Sequence, residues 1–335
     1  MIAATLEHVI AGGSLDAATS EAVVGAVMRG EVDPAQIAGL LVALRAKGET
    51  VDELVGAARA MRAHVVPVPP TRADLVDTAG TGGDGASTFN VSTTAALIAA
   101  AAGAAVAKHG NRAVSSRSGA ADLLEALGIG IELTPERAAA SIDAHGFAYL
   151  HAPAYHPAMR HAAPIRRALG VRTIFNLLGP LTNPAGARRQ VIGVPSRAAL
   201  ELVATALHRL GCEHGLVVFG EPGIDELSPV GSTLVATVTP TGVELSELDA
   251  RSLGIARCTL EDLRGGDAVE NARITESILA AEPGPRADAA VLNAAAALLV
   301  SGRAASLAEG LELARAAIDS GAAHETLQRL RAFSS

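Results

Sequence analysis

Asp77-Thr-Ala-Gly-Thr-Gly-Gly-Asp-Gly-Ala-Ser-Thr-Phe-Asn-Val-Ser-Thr-Thr94 joins two apolar stretches of different character. Leu75 and Val76 before it read as the end of a strand. The alanine-rich run Ala95–Ala102 after it reads as a buried helix. Between them, Gly80, Gly82, Gly83 and Gly85 let the backbone reach positive φ and approach a ligand closely. A strand, a glycine loop and a helix N-terminus together present unpaired N–H groups and the positive end of a helix dipole, which suits a phosphate or pyrophosphate. Asn90, Ser92, Thr93 and Thr94 add short polar side chains that cap a helix or touch an anion. The glycine spacing matches neither the dinucleotide fingerprint nor a Walker A loop. Taken alone, the stretch fits a tight strand-to-helix turn equally well.

A second segment shifts the balance toward an anion. Lys108-His-Gly-Asn-Arg-Ala-Val-Ser-Ser-Arg-Ser-Gly-Ala-Ala-Asp122 follows another short apolar run. It gathers a lysine, two arginines, an asparagine and three serines around two glycines. Such a mix makes a poor core element and a good polyanion cradle.

Outward from these two loops, strands and helices alternate. Strands are expected at Leu75–Thr78, Ala105–Ala107, Ile129–Glu132 and Phe147–Leu150, with helices at Thr93–Ala102, Gly119–Leu127 and Pro135–Ala144. Alternation of this kind predicts a parallel sheet with right-handed crossovers, and ligands then sit at the carboxyl ends of the strands. Before it, residues 1–68 read as helices only. Asp33-Pro34 is a start signal, and Thr50-Val-Asp-Glu53 is a capping box. The prolines between Val65 and Pro70 mark a boundary. Residues 153–187 return to helix, including Pro157–Leu169. Beyond Gln190 the alternation resumes: strands Val191–Val194 and Leu216–Phe219, helix Ala198–Leu210, and a hairpin of Leu234–Val238 with Val243–Leu245. Helices Ala287–Ser301 and Leu307–Ser320 close the chain. The expected fold is α/β, with a mostly parallel central sheet flanked by helices. A smaller all-helical domain is built from residues 1–68 with re-entry at about 153–187; residues 69–152 and 188–335 form the α/β domain.

Composition narrows the function. The chain has 335 residues and a formal net charge of −8, which argues against a general nucleic-acid surface. Aromatics are only 2% of residues while hydrophobics are 49%, so core volume must come from small and aliphatic side chains. Cys212 and Cys258 stand far apart, forming no disulfide framework or zinc pattern, and read as buried thiols. The N-terminal residues lack the basic end and apolar core of a signal peptide, and no apolar run reaches membrane-spanning length. A cytoplasmic protein without a membrane partner is expected.

The motifs resemble those of the anthranilate phosphoribosyltransferase family. Gly80-Thr-Gly-Gly-Asp84, Asn90-Val-Ser-Thr93 and Lys108-His-Gly-Asn-Arg-Ala-Val-Ser115 look like its diphosphoribosyl-binding motifs. His156-Pro-Ala-Met-Arg160, the run Arg166–Pro184 and Asp225-Glu226 follow in the family's order. The resemblance implies transfer of the phosphoribosyl group of 5-phosphoribosyl 1-diphosphate to anthranilate, in tryptophan biosynthesis. It implies a homodimer contacting through the helical domain, and Mg²⁺, two ions per subunit, as cofactor.

It also implies roles for residues. For the diphosphoribosyl group these are Gly80, Gly83, Asp84, Thr88, Asn90, Val91, Ser92 and Thr93, then Lys108, His109, Gly110, Asn111, Arg112, Ala113, Val114, Ser115, Ser116 and Ala120. For anthranilate they are Gly80, Asn111, His156 and Arg166; for the metal, Ser92, Asp225 and Glu226. Adjacent carboxylates suit Mg²⁺, which takes hard oxygen ligands, and a guanidinium suits a carboxylate bidentately. No certain catalytic side chain is implied, since an aryl amine is already neutral near pH 7. His109 and His156 are therefore read as ring contacts rather than bases. Two departures stand out: Ala120 replaces a frequent serine, and no histidine precedes Gly223 in the acid loop. A pyrimidine nucleoside phosphorylase shares the glycine loop but needs no paired metal carboxylates, so Asp225-Glu226 and Arg166 weigh against it.

Overall fold

Short polar side chains and prolines set where the N-terminal helices begin. In the computed structural model, which describes residues 2–82, 85–113 and 117–334, the chain opens with α1 (Ile2–Ile10), α2 (Ala17–Met28), α3 (Pro34–Lys47) and α4 (Val51–Arg62). Asp16 accepts from the Thr19 N–H at 2.7 Å, and Asp33 from the Ala35 N–H at 2.8 Å with Pro34 in the first turn. Thr50 and Glu53 form the expected capping box at α4. Glu53 does more than cap. Wholly buried, it accepts from the Leu15 N–H at 3.0 Å, the Thr50 N–H at 2.8 Å and Lys47 Nζ at 3.1 Å. Helices α2 and α4 cross so closely that a Cβ on Gly56 would overlap the Ala17 carbonyl.

The sheet begins with β1 (Leu75–Gly80), then α5 (Val91–Ala101), β2 (Ala105–Gly110), α6 (Ala120–Ala126), α7 (Pro135–His145) and β3 (Phe147–His151). Short helices α8 (Ala152–Tyr155), α9 (Ala163–Leu169) and α10 (Phe175–Leu178) follow. The chain returns to the sheet with β4 (Arg189–Gly193), α11 (Arg197–Arg209), β5 (His214–Gly220), β6 (Thr233–Thr239) and β7 (Gly242–Leu248). It ends in α12 (Ala268–Leu279), α13 (Pro285–Ser301), α14 (Leu307–Asp319) and α15 (Ala322–Ser334).

The sheet has seven strands in the order β3-β2-β1-β4-β5-β6-β7. Pairing is parallel from β3 through β5 and antiparallel for β6 and β7. From β1 the chain winds outward through β2 to β3, then crosses back to place β4 on the other side of β1. The winding direction therefore reverses between β1 and β4, whose last residues, Gly80 and Gly193, are in register. A crevice at the carboxyl ends of two such strands is where open α/β sheets bind ligands.

Period-two alternation splits the sheet between cores. Val76, Val106, Val191, Leu216 and Val218 face the core that contains α5 and α13. Ile192, Val217, Ala236 and Val238 face α11 and the N-terminal helices, together with Ala162, Ile174, Phe175, Leu178 and Leu181. Alanine lets α5 and α13 approach closely: Ala95–Ala99 and Ala294–Ala297 are essentially without solvent contact. This close seam is how so few aromatics fill so large a core.

Three expectations need correction, and two helices lie where none was expected. Ile129–Glu132 is not a strand: Gly128 at φ 78° ends α6, the Ile129 N–H bonds back to Leu124 O, and Ile129 and Ile131 simply plug the core. The helix expected over Pro157–Leu169 breaks into a 3₁₀ turn, Pro157–His161, and α9, with Pro164 starting the second piece. Helices α12 and α15 were not anticipated. Cys258 is half-buried, unlike Cys212.

Glu53→Ala is expected to remove about 2–3 kcal/mol of stability, because it strands buried N–H donors and a lysine at once. Urea unfolding should show this; a loss below about 0.5 kcal/mol would contradict it.

Candidate active site

Two glycines bring the acid loop onto the strand ends. The loop after β5 folds back over Gly80 and Gly193. A Cβ on Gly193 would overlap the Asp225 carbonyl, and one on Gly80 would overlap the Asp225 carboxylate. Hydrogen bonds then join the two loops. The Gly82 N–H donates to Asp225 Oδ2 at 3.1 Å. Arg172 donates to Gly82 O at 2.7 Å from Nη1 and to Thr81 O at 3.5 Å from Nη2. The Thr81 N–H donates to Gly193 O at 2.9 Å. Gly82 sits at φ 65°, a conformation that favours glycine. Its peptide is gripped by an acid on one side and by a guanidinium on the other.

Ser92, in the first turn of α5, lines one narrow cavity with Asp225, Glu226, Gly193 and Asn293. The donors there are a hydroxyl and two carboxylates. Among the described residues, no group of three or more His, Cys, Asp or Glu side chains forms a metal cage. A hydroxyl and two carboxylates fit a hard divalent ion that keeps waters and shares its shell with phosphate oxygens.

Lys108 reaches the same floor from β2. It is 2% exposed, and its Nζ donates to Thr78 O, to Thr78 Oγ1 at 3.3 Å and to Ser92 Oγ at 3.4 Å. Burial pulls its pKa down to about 8, against the opposing pull of Asp77, Glu226 and Asp225. Asp77 lies fully buried on β1. Burial pushes its pKa up to about 6, opposed first by its bond from Asn183. Asn183 Nδ2 donates to Asp77 Oδ2 at 2.8 Å, and the His109 N–H donates to Oδ1 at 3.1 Å. A second ring follows on β2. His109 Nδ1–H donates to Gly179 O at 3.1 Å, and the ring lies 5.0 Å from that of His156. The Nε2 atoms of both rings are buried without a partner. Burial lowers the pKa of His109 to about 3 and of His156 to about 4, so both are neutral imidazoles around pH 7.

Arg166, on α9, is half-buried with its guanidinium 5.3 Å over the Phe175 ring. Burial lowers its pKa, and among the described residues no carboxylate pairs with it. A partly desolvated arginine without an acid is suited to an anion from outside.

Other expected residues are engaged elsewhere. Thr88 forms an isolated bridge with Arg264. Asn90 stands at the N-cap of α5 without capping it. Its amide donates to Ser118 O at 3.1 Å, and its Oδ1 accepts from Asn271 at 2.8 Å and Ser118 Oγ at 3.1 Å. Val91 and Thr93 are buried. Gly110 ends β2 against Tyr149; Asn111 Oδ1 accepts from the Arg112 N–H at 2.8 Å. Arg112 pairs with Asp122 at 3.1 Å and Glu125 at 2.5 Å, and Ala113 N–H donates to Asp122 at 2.9 Å. Ala120 starts α6. Gly83, Asp84, Val114, Ser115 and Ser116 lie outside the described residues. Asp77, Asn183, Arg172 and Asn293 were not singled out from the sequence. Asn293 did carry a signal, as the lone amide in an alanine-rich apolar run, Ala289–Val300.

Known proteins resemble this chain over nearly its whole length. Residues 72–324 match the model of the glycosyl transferase family, a/b domain, and residues 3–65 that of its helical bundle domain. An anthranilate phosphoribosyltransferase of Symbiobacterium thermophilum is 51% identical over 98% of this chain and 97% of its own. The crystal structure of the Thermus thermophilus enzyme of that name superposes with a TM-score of 0.93 at 50% identity, covering 98% of each chain. The Saccharomyces cerevisiae enzyme, in complex with PRPP and Mg, is 27% identical with a TM-score of 0.91, covering 99% of this chain and 97% of its own. This chain belongs to the anthranilate phosphoribosyltransferase family.

Proposed function

We propose that this chain transfers the phosphoribosyl group of 5-phosphoribosyl 1-diphosphate to anthranilate, giving N-(5-phosphoribosyl)anthranilate and diphosphate. The observation that carries the reading is the Gly82–Asp225 contact at 3.1 Å, which sets a glycine turn and an acid pair on the same crevice. The anthranilate nitrogen attacks C1 of the ribose with its own lone pair. The C1–O bond to diphosphate breaks, and the new amine then releases a proton. Positive charge develops on the ring and negative charge on the leaving group, so catalysis is positioning and electrostatic stabilisation.

The glycine turn, at Gly80 and Gly83 with Asp84, and the second loop hold the diphosphoribosyl group, with Lys108 supplying a buried cation beside it. Ser92, Asp225 and Glu226 would hold Mg²⁺, two ions per subunit, which would offset the charge of the diphosphate. Arg166 takes the anthranilate carboxylate, and Asn111 and His156 flank its amine and ring. The His109 and His156 imidazoles stay neutral and offer acceptor nitrogens rather than positive charge, which suits an amine donor.

The division into a helical domain, 1–68 with 153–187, and an α/β domain is supported by the core that Phe175 and Leu178 share with the N-terminal helices. A homodimer and a cytoplasmic location are part of the same proposal, suggested by the family resemblance. The charge of −8 accords with a protein that does not bind nucleic acid, and among the described residues no helix is long and apolar enough to cross a membrane.

Loss of anthranilate fluorescence is expected only when the sugar diphosphate and Mg²⁺ are both present. Turnover with either omitted would overturn the reading. Arg166→Ala should raise the KM for anthranilate at least tenfold more than that for the sugar diphosphate; equal changes in both would remove Arg166 from its place.

The histidines also predict a pH effect on the fold. In the unfolded chain each takes up a proton near pH 6.5; folded, His156 does so only at about 4 and His109 at about 3. The unfolded state therefore binds more protons in this window, and stability falls as pH drops through it. His156→Gln should flatten that fall by about 1 kcal/mol per pH unit. Urea unfolding of both proteins between about pH 4.5 and 6 checks this, and parallel slopes would refute it.

A further inference from the structure

Asn293 lies in the middle of α13, a helix otherwise buried through alanine, leucine and valine. It is 5% exposed and lines the cavity shared by Ser92, Asp225 and Glu226. Its carboxamide closes a two-bond ring on a single residue of the acid loop. The Leu227 N–H donates to Asn293 Oδ1 at 3.0 Å, and Asn293 Nδ2 donates to Leu227 O at 3.0 Å. The second Nδ2 proton goes to Ala289 O at 2.9 Å, one turn back on α13. With both amide protons and the amide oxygen engaged, the side chain has one orientation. Leu227 directly follows Glu226, so this ring fixes the exit of the acid pair to the helix.

Elsewhere the loop bonds to the glycine turn through Asp225 and to itself through Ser228. Ser228 Oγ donates to Glu221 O at 2.7 Å and accepts from the Val230 and Gly231 N–H groups at 3.1 Å each. The Ser228 N–H donates to Thr233 Oγ1 at 2.9 Å. Asn293 thus links the loop by hydrogen bonds to the helix that packs along α5, and α5 carries Ser92. An ion held by oxygens from two distant chain segments needs those segments registered to each other. Groups one step removed from the ligands commonly change metal affinity 10–100-fold when lost, an order-of-magnitude expectation.

We propose that Asn293 is a positioning residue for the magnesium site: it registers Asp225 and Glu226 on α13, against Ser92 on α5. This rests on the functional reading above. Mn²⁺ binding, followed by electron paramagnetic resonance with 5-phosphoribosyl 1-diphosphate present, separates the two. Wild-type enzyme that binds no Mn²⁺ under these conditions would sink the reading, and this inference with it. Given wild-type binding, Asn293→Leu keeps the side-chain size and helix preference while removing every polar contact. It should weaken Mn²⁺ at least tenfold and raise the Mg²⁺ needed for half-maximal rate in parallel. The KM for anthranilate should stay within about twofold, since Arg166 and His156 stand on other elements. A role confined to packing would lower the melting temperature and leave Mn²⁺ affinity unchanged, and that result overturns the proposal. Should Asn293→Leu not fold, Asn293→Ser, smaller and polar, carries the same comparison with the same two outcomes.

Discussion

The hydrogen bond from the Gly82 N–H to Asp225 is the constraint on which the rest of the site depends. It connects residues 143 positions apart in the chain, and it can form only where two parallel strands end level with each other. Gly80 and Gly193 permit it by lacking side chains, and the reversal of sheet winding between β1 and β4 opens the crevice there. Arg172 completes the grip from the segment that follows α9. Three distant parts of the chain therefore define one small crevice at the strand ends.

Beneath that volume lies a buried polar layer rather than an apolar floor. Asp77, Lys108, Asn183 and the His109 main chain are hydrogen-bonded at the ends of β1 and β2. Burying charges costs stability unless each is paired and bonded, and here nearly every polar atom has a neighbour. Such a layer is fixed in geometry, which suits a site whose catalytic contribution is placement. Lys108 is the buried cation of this layer, while burial holds the imidazoles of His109 and His156 neutral around pH 7.

Much of this was legible in the residues. The glycines of Gly80–Gly85 and the cationic run from Lys108 together suggested an anion site, the family resemblance assigned Asp225-Glu226 to Mg²⁺, and the strand–helix alternation pointed to the parallel sheet. Local helix starts were equally readable, because Asp33, Pro34, Thr50 and Glu53 act on their immediate neighbours. What escaped was long-range. Nothing near Ile129 shows that its apolar alternation plugs a core instead of joining the sheet. Asn90 carries a good capping side chain, but Asn271 and Ser118, distant in sequence, take it. Arg172 and Asn293 act through main-chain atoms of loops far along the chain, and no local pattern encodes such partners.

The outer strand β7 has a consequence of its own. One edge pairs with β6 and the other faces water, with Val243 and Leu245 exposed beside Glu244 and Glu247. An open edge with apolar side chains is a template for adding a strand from another molecule. A second copy arriving in register would set its own glutamates against these, and like charges facing each other across a ladder repel. Repulsion of this kind would oppose edge-to-edge stacking of the seven-stranded sheet through β7.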